Sequence, residues 1–316
     1  MRFFVFIFMM SFAVTSFALS KEAIESKEKA VSIYNLRDKV ESGRYFLPAA
    51  KEGDPSSQYY YAVSIISRDG GLSNEAIKWL DKSANNGNLS AMFRLTGYEL
   101  CAYGKSCPPK GKDWFDYAEN EAKKRAEKGD GKAMYVLAIG YLNNEKDNLY
   151  YKWIEKSAKA EYSRGQYVWA KSISSGQGFY FTDSGRKEDA AKWAKKAFEN
   201  GFPVGGYFYS LLNKDSVNSK EYMFESAKEG YARAMDTFAL CLLDAEKFKC
   251  KGYGDDNKPK AIAIFKYLKE VGGSNAKSSY EYALRLVTDK DKNESKKYDS
   301  WVRETFKYPS YFEYIE

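Results

Sequence analysis

Residues 76–95 read AIKWLDKSANNGNLSAMFRL and combine two helix-like segments around Gly87. In the second segment, Ala91 and Leu95 lie one helical turn apart, so a small and a large side chain share one face. The first segment carries Trp79 eight residues before the glycine. Helix packing requires a small residue where two helices meet and a large side chain that fills the groove beside it. The stretch therefore predicts a helix, a turn and a second helix.

The same pattern recurs along the chain at intervals of 29 to 42 residues. With the turn residue numbered zero, the turns lie at Gly53, Gly87, Gly129, Glu161, Gly201, Gly230 and Gly272. Position +4 holds the small residues Ser57, Ala91, Ala133, Gly165, Gly205, Ala234 and Ala276. Position +8 holds the large residues Tyr61, Leu95, Leu137, Trp169, Tyr209, Phe238 and Tyr280. Periods of this size are typical of solenoids, whose repeats bury their apolar faces against neighbouring repeats.

Three runs match a known repeat pattern: PAAKEGDPSSQ at 48–58, AIKWLDKSANNGNLSAM at 76–92 and AAKWAKK at 190–196. They resemble the Sel-like repeat family, a branch of the tetratricopeptide-related proteins. Glu161 departs from the family pattern, which has glycine at the turn. The resemblance implies an all-α fold, a right-handed α/α superhelical solenoid of about seven helical hairpins.

We expect a secretory signal peptide at residues 1–20, because one positive charge at Arg2 precedes an uncharged apolar run that ends in small residues. An uncleaved signal anchor is the alternative, since the uncharged run over 3–20 borders on the length that spans a bilayer. The remaining expected segments are a lead-in helix at 21–42, the repeat solenoid at 43–287, and a charged linker with an aromatic capping segment at 288–316.

Two helix limits follow from the local sequence. Proline is tolerated in the first turn of a helix but not in its interior, so Pro48 predicts a short helix over 45–52 before the first turn. The apolar spacing after Gly87 predicts a first helix over 89–102 in the next repeat.

The four cysteines form two local pairs, Cys101 with Cys107 and Cys241 with Cys250. In an exported protein such pairs predict disulfides. Four cysteines allow three connectivities, and we favour the short-range one because it needs no long-range contact. A metal site is the weaker alternative, because neither pair has zinc-knuckle spacing and the chain has no histidine.

The absence of histidine excludes nucleophile pairs and metal sites that depend on imidazole. The net charge is +7, and basic and acidic residues are interleaved along the chain, so no basic patch typical of nucleic-acid binding stands out. Some cysteine-rich members of the resembled family have been described as β-lactamase-like, which directs attention to serine with lysine three residues on. Such pairs begin at Ser26, Ser184 and Ser274, without the other elements of that enzyme class. We predict no catalytic residue, no cofactor and no metal.

Position +6 holds Tyr59, Phe93, Tyr135, Tyr167 and Tyr207, followed by Asp236 and Ser278 in the last two repeats. This position lies about 200° around the helix from positions +4 and +8, so it cannot share their face. Either it packs against the next repeat, or it lines the concave surface as a ladder of aromatic anchors. The loss of aromatic residues in the last two repeats favours a partner-binding role for the five rings.

Secreted proteins of the resembled family are in several cases immunity partners of phospholipase-type toxins. We therefore expect a non-catalytic protein-binding solenoid, periplasmic or secreted, and as its specific role an immunity protein that neutralises such a toxin. The alternatives are an envelope adaptor, a host-directed secreted factor and a β-lactamase-like hydrolase. The expected partner is another protein, with no nucleic acid, no membrane span after signal removal and a monomeric state.

Overall fold

The computed structural model describes residues 18–35, 38–214, 217–250, 257–271 and 276–307. Within these ranges the chain is helical and contains no strand. The helices are α1 Lys21–Asn35, α2 Lys39–Lys51, α3 Pro55–Asp69, α4 Asn74–Asn85, α5 Leu89–Arg94, α6 Trp114–Ala126, α7 Gly131–Leu142, α8 Asp147–Lys159, α9 Ser163–Ser174, α10 Asp183–Glu199, α11 Pro203–Leu212, α12 Val217–Lys228, α13 Ala232–Leu243, α14 Lys258–Val271, α15 Ala276–Arg285, α16 Asp289–Ser295 and α17 Asp299–Thr305.

From α1 to α15, each helix packs on the next along the chain, and further contacts join the first helices of adjacent hairpins, such as α5 with α7 and α7 with α9. A solenoid is built from contacts of this kind, chiefly between elements that are close in sequence. The predicted all-α array of helical hairpins is confirmed.

The turns between hairpins have the left-handed backbone that their glycines predict. The φ angles are 95° at Gly53, 87° at Gly87, 84° at Gly129, 82° at Gly201 and 89° at Gly230. Glu161 occupies the same position with a φ of 59°, although this region is unfavourable for a residue with a Cβ. The backbone therefore requires a left-handed residue at this turn whether or not glycine supplies it. Gly272 lies outside the described residues.

The small residues at position +4 mark the place where adjacent helices come closest. Ala91 and Ala133 are 0% and 1% exposed. A Cβ added at Gly165 would lie 2.3 Å from the Ser157 hydroxyl oxygen, and one added at Gly205 would lie 2.6 Å from the Ala194 carbonyl oxygen. The size limit at this position is therefore set by the preceding helix.

A second repeated contact joins the two helices of a hairpin through a buried serine four residues before the turn. Ser83, Ser157 and Ser226 are fully buried, and their hydroxyls donate to the carbonyls of Pro55, Gly131 and Pro203 at 2.6, 2.7 and 2.9 Å. Each accepting carbonyl lies two residues after the preceding turn. The serine thus ties the second helix of one hairpin to the start of its first helix.

Both predicted helix limits are wrong. Helix α2 extends from Lys39 to Lys51 with Pro48 inside it, because packing against α1 and α3 holds a helix that proline alone would shorten. Helix α5 ends at Arg94, since Gly97 and Glu99 adopt left-handed backbone at φ 79° and 47°. The chain then turns through a loop that the disulfide closes.

The predicted short-range disulfides are confirmed, with Cys101 bonded to Cys107 and Cys241 to Cys250. The first lies within the loop between α5 and α6, whereas the second joins Cys241 of α13 to Cys250 in the segment that follows this helix.

The two ends of the array are helical. Helix α1 packs on α2 and buries Ala23, Ala30 and Tyr34. At the other end α16 and α17 lie against α14, with Val302 and Phe306 1% and 2% exposed. The predicted segment limits at 42/43 and 287/288 stay predictions. Most of the predicted signal peptide and Tyr308, Tyr311, Phe312 and Tyr314 of the aromatic tail lie outside the described residues.

Large apolar side chains form two clusters, one from α1 to α9 and one from α11 to α17. Helix α10 lies between them, and its buried residues are all alanine: Ala190, Ala191, Ala194 and Ala197. Small side chains allow α10 and α11 to approach closely at this seam.

Candidate functional site

A cavity of about 580 Å³ opens where the first helices of consecutive hairpins begin. Its walls come from the starts of α3, α5, α7 and α9, from the turn before α11, and from Arg125 of α6. Since the same positions of successive repeats line it, the cavity is a product of stacking and belongs to no single hairpin.

The five aromatic residues predicted to bind a partner lie mainly between repeats. Tyr59, Phe93 and Tyr135 are 3%, 8% and 2% exposed, whereas Tyr167 and Tyr207 are half-buried. Three of the rings meet the residue at position +1 of the next repeat, in the pairs Tyr135–Tyr162, Tyr167–Phe202 and Tyr207–Tyr231, with centroids 5.5, 5.5 and 5.3 Å apart. Phe93 packs on Gly140, where an added Cβ would lie 2.4 Å from its ring.

Only two of these five residues, Tyr59 and Tyr135, line the cavity, and they do so from its floor. Phe93, Tyr167 and Tyr207 are not among its lining residues. The residues at position +6 thus pack mainly against the next repeat, which was the first of the two alternatives. Two of them also face the cavity. Partner binding by the five rings stays a prediction.

The sequence interpretation missed the basic residues of the cavity. Lys132 and Arg164 both stand at position +3, in the first turns of α7 and α9. Tyr60, at position +7 of the first repeat, lies close enough to Arg164 for a side-chain hydrogen bond. Positions +3 and +7 lie one helical turn apart, so their side chains share one face of the first helix. This face is distinct from the one that carries position +6.

Lys132 has an unusual electrostatic setting. The Lys132 side chain is exposed, but desolvation by the surrounding protein lowers the pKa of its ammonium group, and the nearby cations Arg164, Lys27 and Arg125 lower it further, while Asp130 opposes them. Within the described part of the chain, Lys132 makes no hydrogen bond and no ion pair. Several cations close together give this part of the cavity a positive potential, which favours an anion there.

The two carboxylates of the cavity already have partners. Asp54 accepts a hydrogen bond from the Ser57 backbone amide at 2.7 Å and pairs with Lys27 at 2.9 Å. Asp130 caps α7 by accepting from the Ala133 amide at 2.9 Å. Neither carboxylate forms a hydrogen bond or an ion pair with Lys132 among the described residues.

The tyrosine side chains of the cavity are buried or half-buried, and they are neutral. Burial raises the pKa of Tyr60 to about 12 and raises that of Tyr135 well above its ordinary value. The Tyr135 hydroxyl is buried and has no hydrogen-bond partner among the described residues. Leaving a buried hydroxyl unpaired costs about 1–3 kcal/mol, which a ligand acceptor can recover.

The residues considered for catalysis have structural partners. The Ser26 hydroxyl donates to the Tyr45 carbonyl at 2.8 Å, and the Ser184 hydroxyl donates to Glu188 at 3.2 Å. Ser274 lies outside the described residues. A carboxylate of α6, Glu119, is also unsuited to general-acid chemistry: burial alone would raise its pKa, but hydrogen bonds from Lys123 and Tyr141 lower it. No group of three metal-ligating side chains occurs in the described ranges.

No family model matches the sequence, and no curated protein matches it. Among solved structures, a protective antigen of uropathogenic Escherichia coli that displays an SLR (Sel-like repeat) fold is similar, with 18% identity and a TM-score of 0.51. The match covers 92% of this chain and 62% of that one, so the chain spans less than two thirds of its length. A Sel1 repeat protein from Oxalobacter formigenes is also similar, with 19% identity, a TM-score of 0.48, and coverage of 77% of this chain and 98% of that one.

The similarity to the Escherichia coli antigen shows the fold, a Sel-like repeat solenoid, in agreement with the family resemblance of the sequence. Among the described helices, none combines the length and the apolar character that crossing a bilayer requires.

Proposed function

We propose that the protein is a non-catalytic scaffold that binds another protein at the cavity formed by the starts of α3, α5, α7 and α9. The observation that carries this proposal is the composition of the walls, where tyrosine rings lie beside the unpaired Lys132. Aromatic residues and cations in a concave site are typical of binding hot spots. A stacked array also supplies a rigid surface that needs little ordering on binding.

The specific role that we propose is that of an exported immunity protein, which neutralises a phospholipase-type toxin by covering its active site. The apolar N-terminal run and two disulfides support export to an oxidising compartment. The Sel-like repeat fold supports a protein partner. The proposal that this partner is a toxin rests on the family resemblance of the sequence.

A blocking substitution tests the binding proposal. Ser90 is a half-buried cavity residue at position +3 of the second repeat, and the structure gives its side chain no hydrogen bond that a substitution would remove. We expect Ser90→Trp to fill part of the cavity. Ser67→Trp is the control, because Ser67 is exposed and does not line the cavity, and its hydroxyl donates only to the Val63 carbonyl of its own helix, at 2.9 Å.

The mature wild-type chain and both variants would be immobilised and exposed to envelope extract of the source organism. Proteins held by the wild type and by Ser67→Trp, but lost with Ser90→Trp, would be purified and titrated against each chain by calorimetry. A direct complex that Ser90→Trp weakens about tenfold or more supports the cavity as the binding site. Equal affinity for both variants contradicts it.

The immunity role has a separate test. Cells that produce the captured protein in the periplasm should lose viability, and co-production of this chain should restore it. If the captured protein is harmless to such cells, the partner is no toxin and the adaptor alternative replaces the immunity role.

A further inference from the structure

Lys132 and Arg164 place two cations at the same register position of consecutive repeats, so both project from first helical turns into one cavity. Arg125 adds a third, although its guanidinium already donates to the Gly87 carbonyl at 2.8 Å. The opposing carboxylates, Asp54 and Asp130, are engaged by Lys27 and by backbone amides. Asp130 therefore acts on Lys132 only through space, and no carboxylate among the described residues forms an ion pair with its ammonium group.

Two further groups in the same wall need an acceptor. The Tyr135 side chain is 2% exposed, and its hydroxyl has no partner among the described residues. Tyr162 occupies the N-cap position of α9 and supplies no side-chain hydrogen bond to the first amides of that helix. A helix start without a capping side chain keeps its amide donors and its partial positive charge available to an anion.

We infer that this cavity receives a carboxylate side chain from an acidic segment of the bound protein, with the ammonium group of Lys132 as its principal ion-pair partner. The inference rests on the proposed function and names the chemistry of the partner at the same site. A carboxylate supplies the acceptor atoms that the ammonium, the hydroxyl and the helix start require.

The size and the walls of the cavity favour a peptide segment over a small free anion. A volume of about 580 Å³ greatly exceeds that of one carboxylate group. Apolar surface from Tyr59, Leu89, Val136 and Phe202 surrounds the cations. An acidic residue flanked by apolar residues would use both parts of the wall, whereas inorganic phosphate would use only the cations.

The test uses two tetrapeptides, acetyl-Glu-Leu-Glu-Leu-amide and acetyl-Gln-Leu-Gln-Leu-amide, each with a fluorescent label, and inorganic phosphate as a competitor. The mature full chain is titrated at low ionic strength by fluorescence anisotropy. We expect the glutamate peptide to bind about tenfold tighter than its glutamine counterpart, because only the former carries the charge-assisted hydrogen bond. The preference for the glutamate peptide should fall with added salt, because salt screens exposed ion pairs.

Variants locate the binding within the molecule. Lys132→Met should abolish the preference for glutamate, and Tyr135→Phe should reduce it about threefold. Lys128→Met is the matched control, because Lys128 lies four residues earlier in the chain, is exposed, and does not line the cavity. It removes the same charge and should leave the preference unchanged.

Stability separates binding from folding. Lys132→Met relieves repulsion among cations, so its urea midpoint should equal or exceed that of the wild type while its affinity falls. Equal binding of the two peptides, or equal loss in Lys132→Met and Lys128→Met, would overturn the inference. Displacement of the glutamate peptide by inorganic phosphate at equal concentration would assign the cavity to a small anion and would also overturn it. After any of these outcomes, the proposed function would still hold if a captured protein binds the wild-type chain and fails to bind Ser90→Trp.

Discussion

Substitution of Gly205 by alanine tests the closest helix contact of the array. Gly205 is the third residue of α11 and faces α10 at the seam between the two apolar clusters. In an ordinary helix, glycine to alanine stabilises by up to about 1 kcal/mol, because alanine loses less backbone entropy. The packing at this seam predicts the opposite sign.

The magnitude follows from three distances. A Cβ on Gly205 would lie 2.6 Å from the Ala194 carbonyl oxygen, 2.8 Å from the Ala197 Cβ and 2.8 Å from the Phe198 backbone nitrogen. None of these atoms can rotate away, so α11 must move by roughly 0.8 Å to restore ordinary contact. Overpacking of this kind costs about 1–3 kcal/mol. After the gain in helix propensity, we expect a net loss of about 1–2 kcal/mol.

Equilibrium unfolding in urea, followed by far-ultraviolet circular dichroism, measures this loss. Gly185→Ala is the matched control, because Gly185 is also the third residue of its helix, α10, and an added Cβ there would meet only the Thr182 hydroxyl oxygen, at 3.2 Å. We expect the control to be neutral or slightly stabilising. A Gly205→Ala protein as stable as the wild type, or more stable, would show that α10 and α11 are not in close contact.

Three further substitutions test the turns, the serine contacts and a buried charge. Glu161→Gly should stabilise by about 0.5–1 kcal/mol in urea unfolding, because glycine removes the left-handed strain at φ 59°; a loss would mean that the glutamate side chain has a structural partner. Ser157→Ala should destabilise by about 1 kcal/mol, since its buried hydroxyl bonds the Gly131 carbonyl, whereas the exposed Ser67→Ala should change stability by less than about 0.5 kcal/mol. Burial raises the pKa of Asp236, so the charged form is disfavoured in the folded state and Asp236→Asn should stabilise at neutral pH. That gain should disappear as the pH falls below about 4, where the wild-type carboxyl is protonated; a gain that persists there would exclude the charge as its cause.

Features that repeat along the chain could be predicted from the sequence. The turn positions and the small column at +4 recur in successive repeats, and each is a local requirement of the backbone or of one helix pair. Both disulfides join cysteines fewer than ten residues apart, with separations of 6 and 9, so their pairing also needed no knowledge of distant contacts. The two wrong helix limits have a different origin. Tertiary packing overrides the propensity of Pro48 in α2, and left-handed residues at Gly97 and Glu99 end α5 early.

The candidate site could be predicted only in part. An aromatic column at +6 was visible in the sequence, and Tyr59 and Tyr135 do line the cavity. Lys132 and Arg164 were not recognised, because two cations in separate repeats look like ordinary solvated residues until their helices are stacked. Their shared register position is the signal that could have identified them.

The sequence by itself determined that the chain is an array of helical hairpins, because the spacing of turn, small and large residues is a property of each repeat and its nearest neighbour. Only the tertiary structure decided which residues meet in the cavity. Tyr60 and Arg164 are far apart in sequence, yet their side chains interact across the starts of α3 and α9. The distance between these two side chains depends on the angle between successive hairpins. That angle results from the summed packing of many side chains, which no local pattern encodes.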